Sequence, residues 1–182
     1  MIEYCDITPT FVELAGTKPL SKMDGESIVP VLTGSRTEHK QYTYSLQTTR
    51  GTINGSDHYG IRSVADKKYR YIVNLTPDIT FKNAATNDAT FKEWLKLSET
   101  DIKAKEITGK YQHRPAIELY NLETDQYCLN NIAGQPENKA VIERMDQVLK
   151  KWMESCGDKG QATEMEALVH QFKNAQGKVG EN

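Results

Sequence analysis

Apolar positions change their spacing along the chain, and each change marks an element. Ile7, Phe11, Leu14 and Ala15 recur at helical intervals, Pro9 suits a first turn, and Gly16 stands where a helix would stop. One short helix is therefore predicted within Ile2 to Ala15. Thr17 to Gly25 has the composition of an exposed connection, and Ser27 to Leu32 offers another helical turn or two. Up to about residue 40 the chain reads as a tail that packs on something else.

The period then falls to two. Tyr42, Tyr44 and Leu46 alternate with polar residues, as do Tyr59, Ile61 and Val64, and then Tyr69, Tyr71, Val73 and Leu75. These predict three strands, the last two joined as an antiparallel hairpin across Asp66, Lys67 and Lys68. A fourth strand, Ile117 to Leu122, follows a polar excursion from Thr76 to Arg114. Phe91, Trp94, Leu95 and Leu97 predict one helix in that excursion, and Thr100 to Ile107 a weaker second. An insertion of this length inside a hairpin is often functional. After Gly134, Pro136 leads into the stripe Val141, Met145, Val148, Leu149 and Trp152, which Gly157 closes. Met165, Leu168, Val169 and Phe172 suggest a last helix before a fraying end.

Strands in series followed by one long amphipathic helix define the class as α+β. The expected architecture is a small antiparallel sheet of about four strands, packed against the C-terminal helix with helices on one face. Tyr69, Tyr71, Val73 and Trp152 are read as core.

A length of 182 residues, 37% of them hydrophobic, allows one sizeable core. The net charge of −2 is spread without long runs, so neither nucleic acid nor an anionic membrane is expected as a partner. No stretch approaches the length of a spanning helix, and the opening residues carry no secretion signal. Cys5, Cys128 and Cys156 form no C-x-x-C pair and read as isolated thiols, with one disulfide left open.

Four blocks carry a resemblance. CDITPTFVELAG (5–16), DGESIVPVLTG (24–34), IRSVADKKYRYIVNL (61–75) and ELYNLETDQYCLNNIAG (118–134), with the closing Trp152 helix, resemble the C-terminal portion of sulfatases in order and spacing. The TTRGTINGSDHYGIRSV stretch, the run at Asn83 to Thr86 and the RPAIELY junction are most similar to the sulfamidase-like branch, which includes N-sulfoglucosamine sulfohydrolases. Asn121, Gln126 and Cys128 depart from the usual pattern in a turn region. Three parts follow: 1–40 as the tail of a catalytic domain and linker, 41–158 as the sulfatase C-terminal subdomain, and 159–182 as an extension, partly helical or frayed.

The resemblance implies an alkaline-phosphatase-like parent, periplasmic or secreted, using calcium and a formylglycine made from a Cys in C-x-P-S-R. Here the cysteines read CDIT, CLNN and CGDK, so neither a catalytic residue nor a metal site is assigned to this chain. The implied partners are an N-terminal catalytic domain and a sulfated sugar. Without that domain, apolar patches and self-association are expected.

The loop Thr48 to Tyr59 is the candidate substrate side. Arg50 suits two-pronged pairing with sulfate, while Asn54, Asp57 and His58 can hydrogen-bond sugar hydroxyls. The same residues would also make a solvated hairpin connection with a turn at Asn54 and Gly55. Asp6 is read as a helix cap, Arg62 as a brace at the domain interface, His113 and Arg114 as a structural junction, and His39 and His170 as exposed. The alternatives are a phosphoesterase or phosphonate hydrolase of the same superfamily, or a free-standing carbohydrate-binding module.

Overall fold

The computed structural model describes residues 1–18, 22–49, 55–167 and 169. Four strands, β1 (Thr43–Gln47), β2 (Ile61–Ala65), β3 (Tyr69–Asn74) and β4 (Ile117–Asn121), form one antiparallel sheet in the order β1-β2-β3-β4. The register pairs Gln47 with Ile61, Ile61 with Asn74, and Val73 with Ile117. The hairpin between β2 and β3 is closed by Asp66, whose Oδ1 accepts the amides of Lys68 at 2.8 Å and Tyr69 at 2.6 Å.

Period-two alternation gives the sheet two different faces. Val64, Tyr71 and Leu119 meet Met145 and Leu149 of the long helix α5 (Lys139–Ser155), forming the main core. Trp152 lies at its edge, stacked on Tyr44 with ring centroids 4.9 Å apart. The other face carries Ile61, Ile72 and Tyr120, covered by Tyr59 and by Phe81 from the excursion. This second layer is loop rather than helix. The excursion's helices, α3 (Ala89–Leu97) and α4 (Ile102–Gln112), join it through Tyr111, which packs on both Phe81 and Phe91. Helix α4 starts later and runs further than its weak pattern suggested, because Asp101 caps it through the Ala104 amide at 2.7 Å.

One acid organises the second face. Glu118, buried on β4, accepts Arg114 Nε at 2.9 Å and Arg114 Nη2 at 3.2 Å, a two-pronged pair. Asn74 Nδ2 donates to the same carboxylate at 2.6 Å, and the Tyr120 hydroxyl donates to its other oxygen. Arg114 is thus the structural junction expected from its place before Pro115.

The first forty residues hold helix α1 (Ile7–Leu14) and the short α2 (Val29–Leu32). Two of the resembling blocks are tied to each other here. Asp6 Oδ1 accepts the Glu26 amide at 3.0 Å, Thr10 Oγ1 accepts the Ile28 amide at 3.0 Å, and the Thr10 hydroxyl donates to the Asp6 carbonyl. Gly25 lies so close that a Cβ on it would come within 2.0 Å of the Cys5 carbonyl oxygen. Asp6 makes no capping bond to α1, but its side chain completes a capping box on the preceding 3-10 turn, Tyr4–Asp6. It is a buried hub that accepts the Glu3 amide at 2.8 Å and pairs with Lys40 at 2.7 Å and His39 at 3.2 Å. His39, expected to be exposed, has its side chain buried beside Asp6, where its Nε2 lies 3.2 Å from Oδ2 without a hydrogen bond. His170 lies outside the described residues. Tyr4, Phe11, Leu14 and Leu32 remain exposed, the apolar surface expected of a tail that packs elsewhere.

Candidate functional site

The connection from β1 to β2 holds the candidate substrate residues. Arg50 and Asn54 lie outside the described residues; Asp57 and His58 lie within them. The Asp57 side chain is 76% exposed and its Oδ2 lies 3.3 Å from His58 Nε2. His58 holds a left-handed backbone, φ 57°, a conformation that costs a residue with a Cβ about 1 kcal/mol.

That strain persists because the backbone around it is fixed. The His58 carbonyl accepts Thr76 Oγ1 at 3.0 Å and Gln161 Nε2 at 3.3 Å. Thr49 Oγ1 donates to the Tyr59 carbonyl at 3.0 Å and accepts the Tyr59 amide at 2.8 Å, closing the loop's two ends on each other. Ser56 is bonded to the excursion: its hydroxyl donates to the Thr80 carbonyl and accepts the Lys82 amide, both at 2.6 Å. The loop and the start of the excursion are therefore one surface.

Underneath lies a support that the sequence did not disclose. After α5, Gly157 (φ 73°) turns the chain, and helix α6 (Gln161–Glu166) returns under the loop. Glu164, 1% exposed, accepts the Thr49 amide at 2.9 Å. Gly60 makes this approach possible, since a Cβ there would meet Leu75 at 2.7 Å and Glu164 Oε2 at 3.1 Å. Arg62 points into the same place. Its Nε pairs with Asp158, and its Nη1 bonds the Gln47 carbonyl at 3.3 Å and stands 4.0 Å from Glu164. Arg62 braces this chain internally, pairing with Asp158, bonding the Gln47 carbonyl and standing near Glu164.

The three cysteines are free thiols; burial pushes the Cys5 thiol upward, and Cys128 lies 3.5 Å from Arg70 against the layer of Tyr59 and Phe81. Among the described residues, Glu3, Cys5 and Asp6 have the spacing of a metal cluster. The place between them is taken by the Lys40 ammonium, 2.6 Å from Glu3 and 2.7 Å from Asp6. This donor set therefore does not fit calcium. No described helix is long and apolar enough to cross a membrane.

The architecture is that of an α+β subdomain: a four-stranded meander backed by one long helix, matching the C-terminal subdomain of sulfatases. No family model matches the chain. An ulvan-active sulfatase from Formosa agariphila is 31% identical over 158 residues, which cover 87% of this chain and 30% of that protein. Two solved structures share the fold. One is a 2-O glycosaminoglycan sulfatase, with a TM-score of 0.57 and 17% identity over 86% of this chain and 26% of that one. The other was solved in complex with its substrate, D-glucosamine-2-N,6-O-disulfate, with a TM-score of 0.54 and 16% identity over 86% and 25% of the two chains. The chain is thus homologous to sulfatases, and it spans about 30% of the length of the curated relative it matches.

Proposed function

We propose that this chain is the C-terminal subdomain of a sulfohydrolase that removes sulfate from glycosaminoglycan-type sugars, acting on N- or O-sulfated glucosamine, and that its own part is substrate binding. The resemblance to the sulfamidase-like branch favours an alkaline-phosphatase-like parent. On this reading 1–40 completes the catalytic domain, 41–158 is the subdomain and 159–182 its extension. The nucleophile, a formylglycine derived from Cys, and the calcium are the parent catalytic domain's to supply.

The observation that carries the reading is the anchoring of the loop's described ends. Thr49, Ser56 and the His58 carbonyl are each tied down, and the Asp57 carboxylate lies 3.3 Å from His58 Nε2. A sugar with several hydroxyls is recognised by such a set of donors and acceptors held in advance, because little ordering entropy is then lost on binding. Arg50 in the same loop offers the guanidinium that a sulfate group would pair with. Two sulfatases that act on sulfated sugars, one of them seen with a disulfated glucosamine, share the fold.

Two substitutions test this. Arg50→Ala is expected to weaken binding of glucosamine-2-N,6-O-disulfate by about tenfold or more, the scale of one lost charge-assisted pair. His58→Gly removes a candidate hydrogen-bonding group and relieves the left-handed strain, so it should weaken the sugar while leaving thermal stability equal or higher. Calorimetric titration with parallel thermal melts checks both. Unchanged affinity in both variants would move the binding site elsewhere.

A further inference from the structure

We infer that helix α6 is a positioning element for the β1–β2 loop, with Glu164 acting through Thr49 and Gln161 acting through the His58 carbonyl. The inference rests on the substrate-side reading of that loop and adds what sets its shape.

The two ends of the loop are Thr49 and the Tyr59–Gly60 pair, and α6 touches each. Glu164 takes the Thr49 amide at 2.9 Å, across 115 positions of sequence. Gln161 donates to the His58 carbonyl at 3.3 Å, across 103 positions. A Cβ on Gly60 would lie 2.7 Å from Leu75 Cδ1 and 3.1 Å from Glu164 Oε2, so a larger residue would crowd both. The helix is itself anchored. Asp158 Oδ1 accepts the Gly160 amide at 2.8 Å while its carboxylate pairs with Arg62 of β2. Thr163 Oγ1 accepts the Lys159 amide at 2.8 Å and tightens the turn between them.

A carboxylate at 1% exposure is costly to bury for packing alone, and a leucine would fill that space more cheaply. What a carboxylate adds is a directed acceptor for one backbone N–H at the loop's first end, close to the Arg62 guanidinium. With Thr49 Oγ1 bonded to both backbone polar groups of Tyr59, fixing the Thr49 backbone fixes the loop's other end as well. Asp57 and His58 follow directly before that end. The two described ends of the loop are thus held from the C-terminal extension.

The test uses the full 182-residue chain with Glu164→Ala, Glu164→Gln and Gln161→Ala. Amide exchange is read by NMR, and glucosamine-2-N,6-O-disulfate is the binding probe. Glu164→Ala is expected to speed exchange at Thr49 at least tenfold, with Ile72 and Leu119 unchanged, and to weaken the sugar about fivefold. Glu164→Gln keeps an acceptor oxygen and should hold both values within about twofold of the parent. Gln161→Ala removes a half-buried amide rather than a buried carboxylate. It should loosen the loop's second end, seen as faster exchange at Tyr59, and serves if Glu164→Ala does not fold. Unchanged exchange at Thr49 and Tyr59 would overturn the positioning role, as would uniform loosening of the whole sheet that glutamine fails to rescue. If the parent chain itself does not take up the sugar, the substrate reading fails, and the exchange data alone decide the role of α6.

Discussion

Gly25→Ala is expected to unhook the first forty residues, raising amide exchange at Glu3, Glu26 and Ile28 by about 100-fold, or about 3 kcal/mol of local stability. The added Cβ would come within 2.0 Å of the Cys5 carbonyl oxygen and 2.7 Å of the Asp6 amide nitrogen. Both are backbone atoms, so no side chain can swing aside. Relief requires the two segments to separate, and separation costs the amide bonds that Glu26 and Ile28 make to Asp6 and Thr10. The sheet should keep its protection, since Glu3 meets β1 only at its edge, through the Tyr44 amide at 2.7 Å.

The same knot responds to acid. Burial raises the Asp6 carboxyl pKa, but bonds from Lys40 and from the Glu3 and Glu26 amides outweigh it, leaving a value of about 2 against an ordinary 3.8. A carboxyl whose folded pKa is depressed contributes stability above its unfolded pKa and loses it as the pH falls. Asp6 therefore contributes about 2 kcal/mol at neutral pH, and this disappears between about pH 4 and pH 2. Exchange at the Glu26 amide should quicken over that window beyond the intrinsic rate, and Asp6→Asn should abolish the pH dependence.

Glu118→Ala carries the second large effect, an expected loss of about 3 kcal/mol of global stability by urea unfolding. The side chain is 3% exposed and gathers Arg114, Asn74 and Tyr120. Removing one partner of a buried ion pair leaves the other charged and desolvated, which costs more than the pair is worth intact. Arg114 lies over the Phe81 ring, 5.9 Å from its centre, and Phe81 packs edge-on against Tyr59. Glu118→Gln, which keeps acceptor capacity without the charge, should lose less than half as much.

Local rules made the strands and the long helix legible. Tyr69, Tyr71 and Val73 alternate, and Val141, Met145, Val148, Leu149 and Trp152 repeat at helical spacing; each pattern states which face is buried without reference to anything distant. Buried acids have no such signature. Asp6 could be read only as a cap, because its true partners, Glu26, His39 and Lys40, lie far along the chain. Glu164 sits in an extension whose end looks frayed, and its partner Thr49 is 115 positions away. Gly25 and Gly60 were visible as glycines, yet their need for close approach depends on which backbone or side chain arrives beside them. Of the four candidate site residues, Asp57 and His58 are placed together on the loop, and Arg50 and Asn54 lie outside the described residues.

The central claim is that this chain binds a sulfated sugar through the β1–β2 loop and leaves the hydrolysis to another domain. Its most direct test is one NMR titration of the pure chain with glucosamine-2-N,6-O-disulfate, following protein amides and free sugar signals together. The expected result is saturable shifts at Ser56 to Gly60, with the sugar's signals unchanged in identity over days. Loss of sulfate from the sugar, or saturation without shifts in that loop, would contradict the claim.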